Sequence, residues 1–164
     1  MDATEQPFYE RFDTGAGFQA AVDRLLEQFG RELRIFDPDL AALRVNDPDR
    51  VARLERFLGA SRTRRLFVVV HDTEHITRKC PRMMALLARY SHAIHIHRTH
   101  EEIRELQDAF LVLDSAHYVR RPVAHFFRGA IGLGDEAEGL QMRQRFTDIW
   151  AASYPAVSST TAGL

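Results

Sequence analysis

Three stretches of this 164-residue chain set ionisable side chains directly after apolar runs. Glu32 to Phe36 leads into Asp37-Pro38-Asp39, Leu66-Phe67-Val68-Val69-Val70 into His71-Asp72 with His75 close behind, and Ile94 to His97 into Arg98 and His100. If these runs are adjacent strands of an open parallel sheet, their carboxyl ends share one edge, which is where such sheets bind ligands. Carboxylates, imidazoles and a guanidinium gathered there could hold an anion. They could also do acid–base work, with His71 as the base and Asp72 as its orienter. Asp37, His71, Asp72, Arg98 and His100 are therefore candidate ligand-binding residues.

Other patterns carry less. His95 and His97 would share a strand face, as metal ligands often do, but no carboxylate or cysteine completes a recognisable spacing, so no metal is expected. Gly132-Leu133-Gly134-Asp135-Glu136-Ala137 has the G-x-G-x-x-A form of a dinucleotide fingerprint. It lacks the following parallel strand, and a glycine loop feeding a capped helix explains it, so no cofactor is assigned. Neither a G-x-S-x-G elbow nor a P-loop occurs.

The elements that must position these residues are legible in outline. The run from Leu66 to Val70, apolar on both faces, reads as a central parallel strand. Thr14 is a suitable N-cap for a helix carrying Phe18, Val22, Leu25 and Phe29 on one face, with Gly30 as its stop. Asp47-Pro48 begins a second helix, with Asp47 as N-cap and Pro48 at its first position. Thr73 to Lys79 reads as a polar connector and Pro81 opens a third helix. Glu101 to Leu106 suggests a short acidic helix. Phe110 to Asp114 and His117 to Arg121 form a hairpin, and a loop containing Gly129, Gly132 and Gly134 follows. Asp135 caps a last helix, with Glu138 placed for a capping box and Leu140, Phe146, Ile149 and Trp150 as its apolar positions. The expected fold is a single α/β domain, a mainly parallel sheet with an antiparallel hairpin, flanked by helices. The expected boundaries are an N-terminal arm over 1–13, the α/β domain over 14–154 and a disordered tail over 155–164.

Composition narrows the function classes. A hydrophobic content of 45% with 27% charged residues is globular, and a net charge of −1 gives no bulk argument for nucleic acid. No apolar stretch is long enough to span a bilayer, and the polar start and single cysteine, Cys80, fit a cytoplasmic protein.

The order of elements, with Ile35-Phe36-Asp37-Pro38-Asp39-Leu40, Val70-His71-Asp72, Phe110-Leu111-Val112-Leu113-Asp114, Arg120-Arg121-Pro122 and Phe146-x3-Trp150, resembles one half of a phospholipase D-like domain. Bacterial domains of unknown function with that fold are the most similar. The resemblance adds Asp114, Arg120 and Arg121 to the candidate ligand-binding set. Active members carry H-x-K-x4-D, in which His is the nucleophile, Lys holds phosphate and Asp stabilises. With that Asp aligned on Asp114, Gln107 stands for His and Ala109 for Lys. Arg121-Pro122 stands where Gly-Ser and Asn usually follow. The resemblance therefore implies a non-catalytic domain that binds a small anion, a nucleotide or a protein partner. The alternative is a hydrolase or phosphoryl-transfer enzyme whose site has moved to His71 and Asp72. Active members build their site from two similar halves about a two-fold axis, so a chain with one half is expected to form a homodimer.

Overall fold

The computed structural model describes residues 6–159. Eight strands form one mixed sheet in the order β1-β7-β6-β5-β2-β3-β4-β8. They are β1 (Phe8–Phe12), β2 (Glu32–Asp37), β3 (Arg65–Val70), β4 (Ile94–Thr99), β5 (Ala109–Leu113), β6 (His117–Arg121), β7 (Gly129–Leu133) and β8 (Ser153–Val157). The helices are α1 (Gly15–Leu26), α2 (Pro48–Gly59), α3 (Glu74–Lys79), α4 (Pro81–Arg89) and α5 (Glu136–Ala151). Parallel pairing is confined to β2-β3-β4, and the remaining neighbours are antiparallel.

Period-two alternation divides the core between the two faces of the sheet. Leu33, Ile35, Leu66, Val68, Val70, Ile94 and Ile96 meet Phe18, Val22 and Leu25 of α1, Leu54 and Leu58 of α2 and Met83 and Leu87 of α4. On the other face Phe36, Val69, Phe110, Val112 and Tyr118 meet Met142, Phe146 and Ile149 of α5. The central strand β3 feeds both cores, which is why its sequence is apolar without interruption. The single α/β domain with flanking helices is the one expected from the sequence, but the sheet is mixed rather than mainly parallel, because only β2-β3 and β3-β4 pair in parallel.

The differences lie at the edges of the sheet. The stretch expected to be an N-terminal arm supplies β1, paired antiparallel with β7. Alternation turns Phe8 and Phe12 to the core and leaves Tyr9 in solvent. The glycine-rich stretch expected to be a loop is β7. A side chain at Gly129 would strike the Arg120 carbonyl and one at Gly132 the Tyr118 ring, so the glycines allow close strand approach rather than turning. Residues 153–157, which overlap the expected disordered tail, form β8 on the outer side of β4. Pro155 is tolerated there because an edge strand has a free side, and the pairing shifts register beside it. Residues 1–5 of the arm and 160–164 of the tail lie outside the described residues.

Helix ends correct the reading further. Thr14 caps α1, its Oγ1 accepting from Gly17 N at 3.0 Å. The helix stops at Leu26, short of Phe29, which is exposed. Asp47 occupies the N-cap of α2 ahead of Pro48, yet its side chain accepts no capping hydrogen bond. The Thr73–Lys79 connector is largely helical as α3, and the acidic helix shrinks to a 3-10 turn at Glu101–Ile103. Asp135 caps α5 by accepting from Glu138 N at 3.2 Å, while the Glu138 carboxylate pairs with Arg120 instead of closing a capping box. Leu140, expected on the apolar stripe, is exposed.

Candidate functional site

The parallel register β2-β3-β4 aligns Asp37 with Val70 and Val70 with Arg98, so the three strand ends do share one edge. Their side chains, however, are largely engaged in holding that edge together. The His71 and Asp72 backbone amides both donate to the Pro38 carbonyl, and Arg98 Nε donates to the His71 carbonyl at 2.9 Å. Asp72 Oδ1 accepts from Glu74 N at 2.8 Å, at the start of α3. His71 is engaged at both ring nitrogens: Nδ1 faces Thr99 Oγ1 and Nε2 faces the Leu106 carbonyl, each at 2.8 Å. A carbonyl can only accept, so Nε2 carries a proton, and in the neutral ring Nδ1 then accepts from the threonine hydroxyl. In this arrangement neither nitrogen is open to take a proton from a substrate, and Asp72 does not orient the ring. His100 is exposed and packs against the Tyr154 ring at 5.0 Å.

Asp37 does something the strand-end reading did not anticipate. It is 2% exposed, and its carboxylate pairs with the guanidinium of Arg121, itself 3% exposed, at the end of β6. The second carboxylate oxygen accepts from Leu40 N at 2.7 Å and Asp39 N at 3.2 Å. Leu40 is buried with φ at 69°, a left-handed conformation that disfavours leucine, and the carboxylate pins it there. Arg121 also donates Nη1 to the Ala124 carbonyl at 2.6 Å and lies 4.6 Å from the Phe18 ring centroid and 5.9 Å from that of Phe127. Burial pushes the Asp37 carboxyl upward while Arg121 and the two amides pull it back. Burial likewise lowers the Arg121 guanidinium, which Asp37 opposes.

Asp114, Arg120 and Arg121, grouped as candidates, are separated. β5 runs antiparallel to β2, which carries Asp114 to the opposite end of the sheet, beside Glu32 rather than Asp37. There, with φ at 53°, it accepts from Arg31 N at 3.0 Å and Glu32 N at 2.9 Å and brackets the start of β2. Arg120 points to the face opposite Arg121 and pairs with Glu138 on α5 at 3.5 Å. A cleft of about 840 Å3 does open at the β2 end, lined by Asp39, Gln107, Arg121, His125, Phe126 and Phe127 among others. Sequence reasoning missed His125, Phe126 and Phe127 because they follow the hairpin in a stretch with no periodic pattern. Among the described residues no three His, Cys, Asp or Glu side chains come together to hold a metal ion. His95 and His97 instead stack on Phe67 and Trp150. Among the described residues no helix is long and apolar enough to cross a membrane.

A family model described as a domain of unknown function, DUF7931, matches residues 14–159. The chain belongs to the DUF7931 family. No curated protein matches it. Solved structures show its fold to be phospholipase D-like. Nuc from Salmonella typhimurium, a phospholipase D family member, aligns with a TM-score of 0.67 at 12% identity, covering 93% of this chain and 100% of that one. NucT from Helicobacter pylori aligns at 0.62 and 10% identity, covering 92% and 100%. The phosphatidylserine synthase of Haemophilus influenzae aligns at 0.57 and 12% identity, covering 94% of this DUF7931 chain but 40% of the synthase. At such identities the likeness is one of fold alone.

Breaking the buried pair from one side should be costly, because the remaining charge stays desolvated. Arg121→Met is expected to lower unfolding free energy by about 3–5 kcal/mol, and Asp37→Leu by a similar amount. The double variant should lose less than the sum of the two, as read from urea denaturation. Strict additivity would mean the two residues do not depend on each other.

Proposed function

We propose that this DUF7931 chain is a non-catalytic phospholipase D-like domain that binds a small anionic ligand and works as a homodimer. The observation that carries the non-catalytic part of this reading is the buried Arg121–Asp37 pair beside the cleft where Gln107 stands. In the phospholipase D-like pattern Gln107 takes the place of the nucleophilic His, and an amide cannot form the phosphoryl-enzyme bond. Ala109, in the place of the phosphate-holding Lys, is buried and uncharged. Arg121 puts a cation near this position but spends it on Asp37 and Ala124, leaving little positive charge for a substrate phosphate.

The dimer is favoured by apolar exposure around the same cleft. Val123 and Phe127 stand in solvent on the β6–β7 loop, and Ala41 is exposed on the facing rim. Apolar groups gathered at a rimmed cleft mark an association surface, and two-fold pairing of identical chains is the commonest way to cover one. The alignment lengths agree: one copy of this chain accounts for 40% of the Haemophilus synthase, leaving room there for a second.

Two measurements test the reading. The purified protein, incubated with bis(p-nitrophenyl) phosphate, should release no nitrophenol above the buffer rate. Turnover that disappears in His71→Ala would overturn the non-catalytic assignment and favour an enzyme with a relocated site. Light scattering at micromolar concentration should give about twice the 18.8 kDa chain mass. A mass of one chain, unchanged on concentrating the sample, would remove the dimer.

A further inference from the structure

A second concavity lies away from the strand-end edge, at the β1-β7-β6 corner of the sheet, and the strand register builds it. Arg11 of β1 stands opposite Ala130 of β7, and Ala130 stands opposite Arg120 of β6. Directly paired residues share a face, so the two arginines flank a small residue on the same side. One pleat along, Tyr9, Gly132 and Tyr118 form a second row on that face. It is the face on which α5 packs against β2, β5 and β6, while Tyr9 and Arg11 of β1 at the corner are exposed. The β6–β7 loop closes the other side with Phe126, and Arg128 precedes β7. The result is a pocket of about 450 Å3 with three guanidiniums, two exposed aromatic rings and a small-residue floor. That volume suits a small molecule.

The charge is out of proportion to the chain. Overall net charge is −1, yet this pocket gathers Arg11, Arg120 and Arg128. Glu138 partly neutralises Arg120 at 3.5 Å. Among the described residues, the Arg11 and Arg128 side chains have neither an ion pair nor a hydrogen bond. Tyr9 and Phe126 are 59% and 58% exposed, so both rings present surface on which a planar group could stack.

We propose that this corner is a binding site for a nucleotide, with Arg11 and Arg128 taking the phosphate and Tyr9 and Phe126 taking the base. Guanidiniums suit phosphate oxygens because their donors are forked and always charged, and aromatic faces accept any base by stacking. The pocket has no comparable set of acceptors for a cation, and its rings distinguish a nucleotide from a bare anion. The proposal deepens the reading of the chain as an anion-binding domain and names a site for that ligand remote from Gln107.

Titration calorimetry of the full chain with AMP, adenosine, inorganic phosphate and a 5′-phosphorylated tetranucleotide tests it. AMP should bind more tightly than either phosphate or adenosine. Arg11→Ala and Arg128→Ala should each weaken AMP and phosphate by about tenfold, in line with a charge-assisted hydrogen bond. Tyr9→Ala should weaken AMP by about tenfold while leaving phosphate unchanged. Arg62→Ala, exposed in a turn before β3, should change nothing. Tighter binding of AMP than of the tetranucleotide would identify the source as a free nucleotide, and the reverse order as the end of a strand. The three altered pocket residues are exposed, and thermal melts matching the parent would establish that the variants are folded. No heat with millimolar AMP, or AMP binding unaffected by both arginine variants, would overturn the proposal. Turnover of a phosphodiester would remove the non-catalytic reading without bearing on this titration.

Discussion

The contact on which the strand-end edge depends is the buried ion pair between Arg121 and Asp37. It joins residues 84 positions apart and ties together three segments that otherwise have little reason to meet. Through its carboxylate it fixes the left-handed turn at Leu40, and through its guanidinium it fixes the loop after β6 at Ala124 and reaches the Phe18 ring on α1. A buried ion pair adds little to stability compared with apolar residues of the same volume, since desolvation cancels most of the attraction. What such a pair does well is specify one arrangement, because each partner alone would be an uncompensated charge. Here every strong valence of the carboxylate is met, which is the condition under which a buried polar cluster holds a unique geometry.

The same pair accounts for the chemical character of the edge. Phosphoryl transfer needs a nucleophile and an uncommitted cation facing solvent. At this edge the imidazole of His71 is locked between Thr99 and Leu106, Asp72 holds the start of α3, and Arg121 is bound to Asp37. The residue types suggest a reactive centre, while their hydrogen bonds make a structural clasp. By contrast, two uncommitted guanidiniums, Arg11 and Arg128, lie at the β1-β7-β6 corner.

How much of this was readable from the chain depends on whether the deciding contact is local. The uninterrupted apolar run of β3, the Thr14 and Asp135 caps and the alternation of Ile94 and Ile96 with His95 and His97 are local patterns, and each is found in place. The strand β7 was hidden because its glycines answer to Arg120 and Tyr118 on the neighbouring strand, not to their own backbone. β1 and β8 were hidden because edge strands need few apolar residues and tolerate proline. Asp37 and Arg121 were each recognisable as unusual, but nothing in their spacing pairs them. Their meeting follows from the order β6-β5-β2, which brings the end of β6 beside the end of β2. Asp114 went to the wrong end for the complementary reason: antiparallel pairing of β5 with β2 reverses which strand terminus faces the edge.

Because the clasp is a fixed guanidinium–carboxylate contact, side-chain nitrogen NMR of the arginines observes it directly. An Arg121 guanidinium held by Asp37 and Ala124 cannot rotate freely, so its Nη protons should give separate, slowly exchanging signals, and Asp37→Asn should merge them. Averaged Nη signals for Arg121 in the parent protein, exchanging with water as fast as those of exposed Arg62, would contradict the closed edge and reopen the cleft beside Gln107 as a place for an anionic substrate.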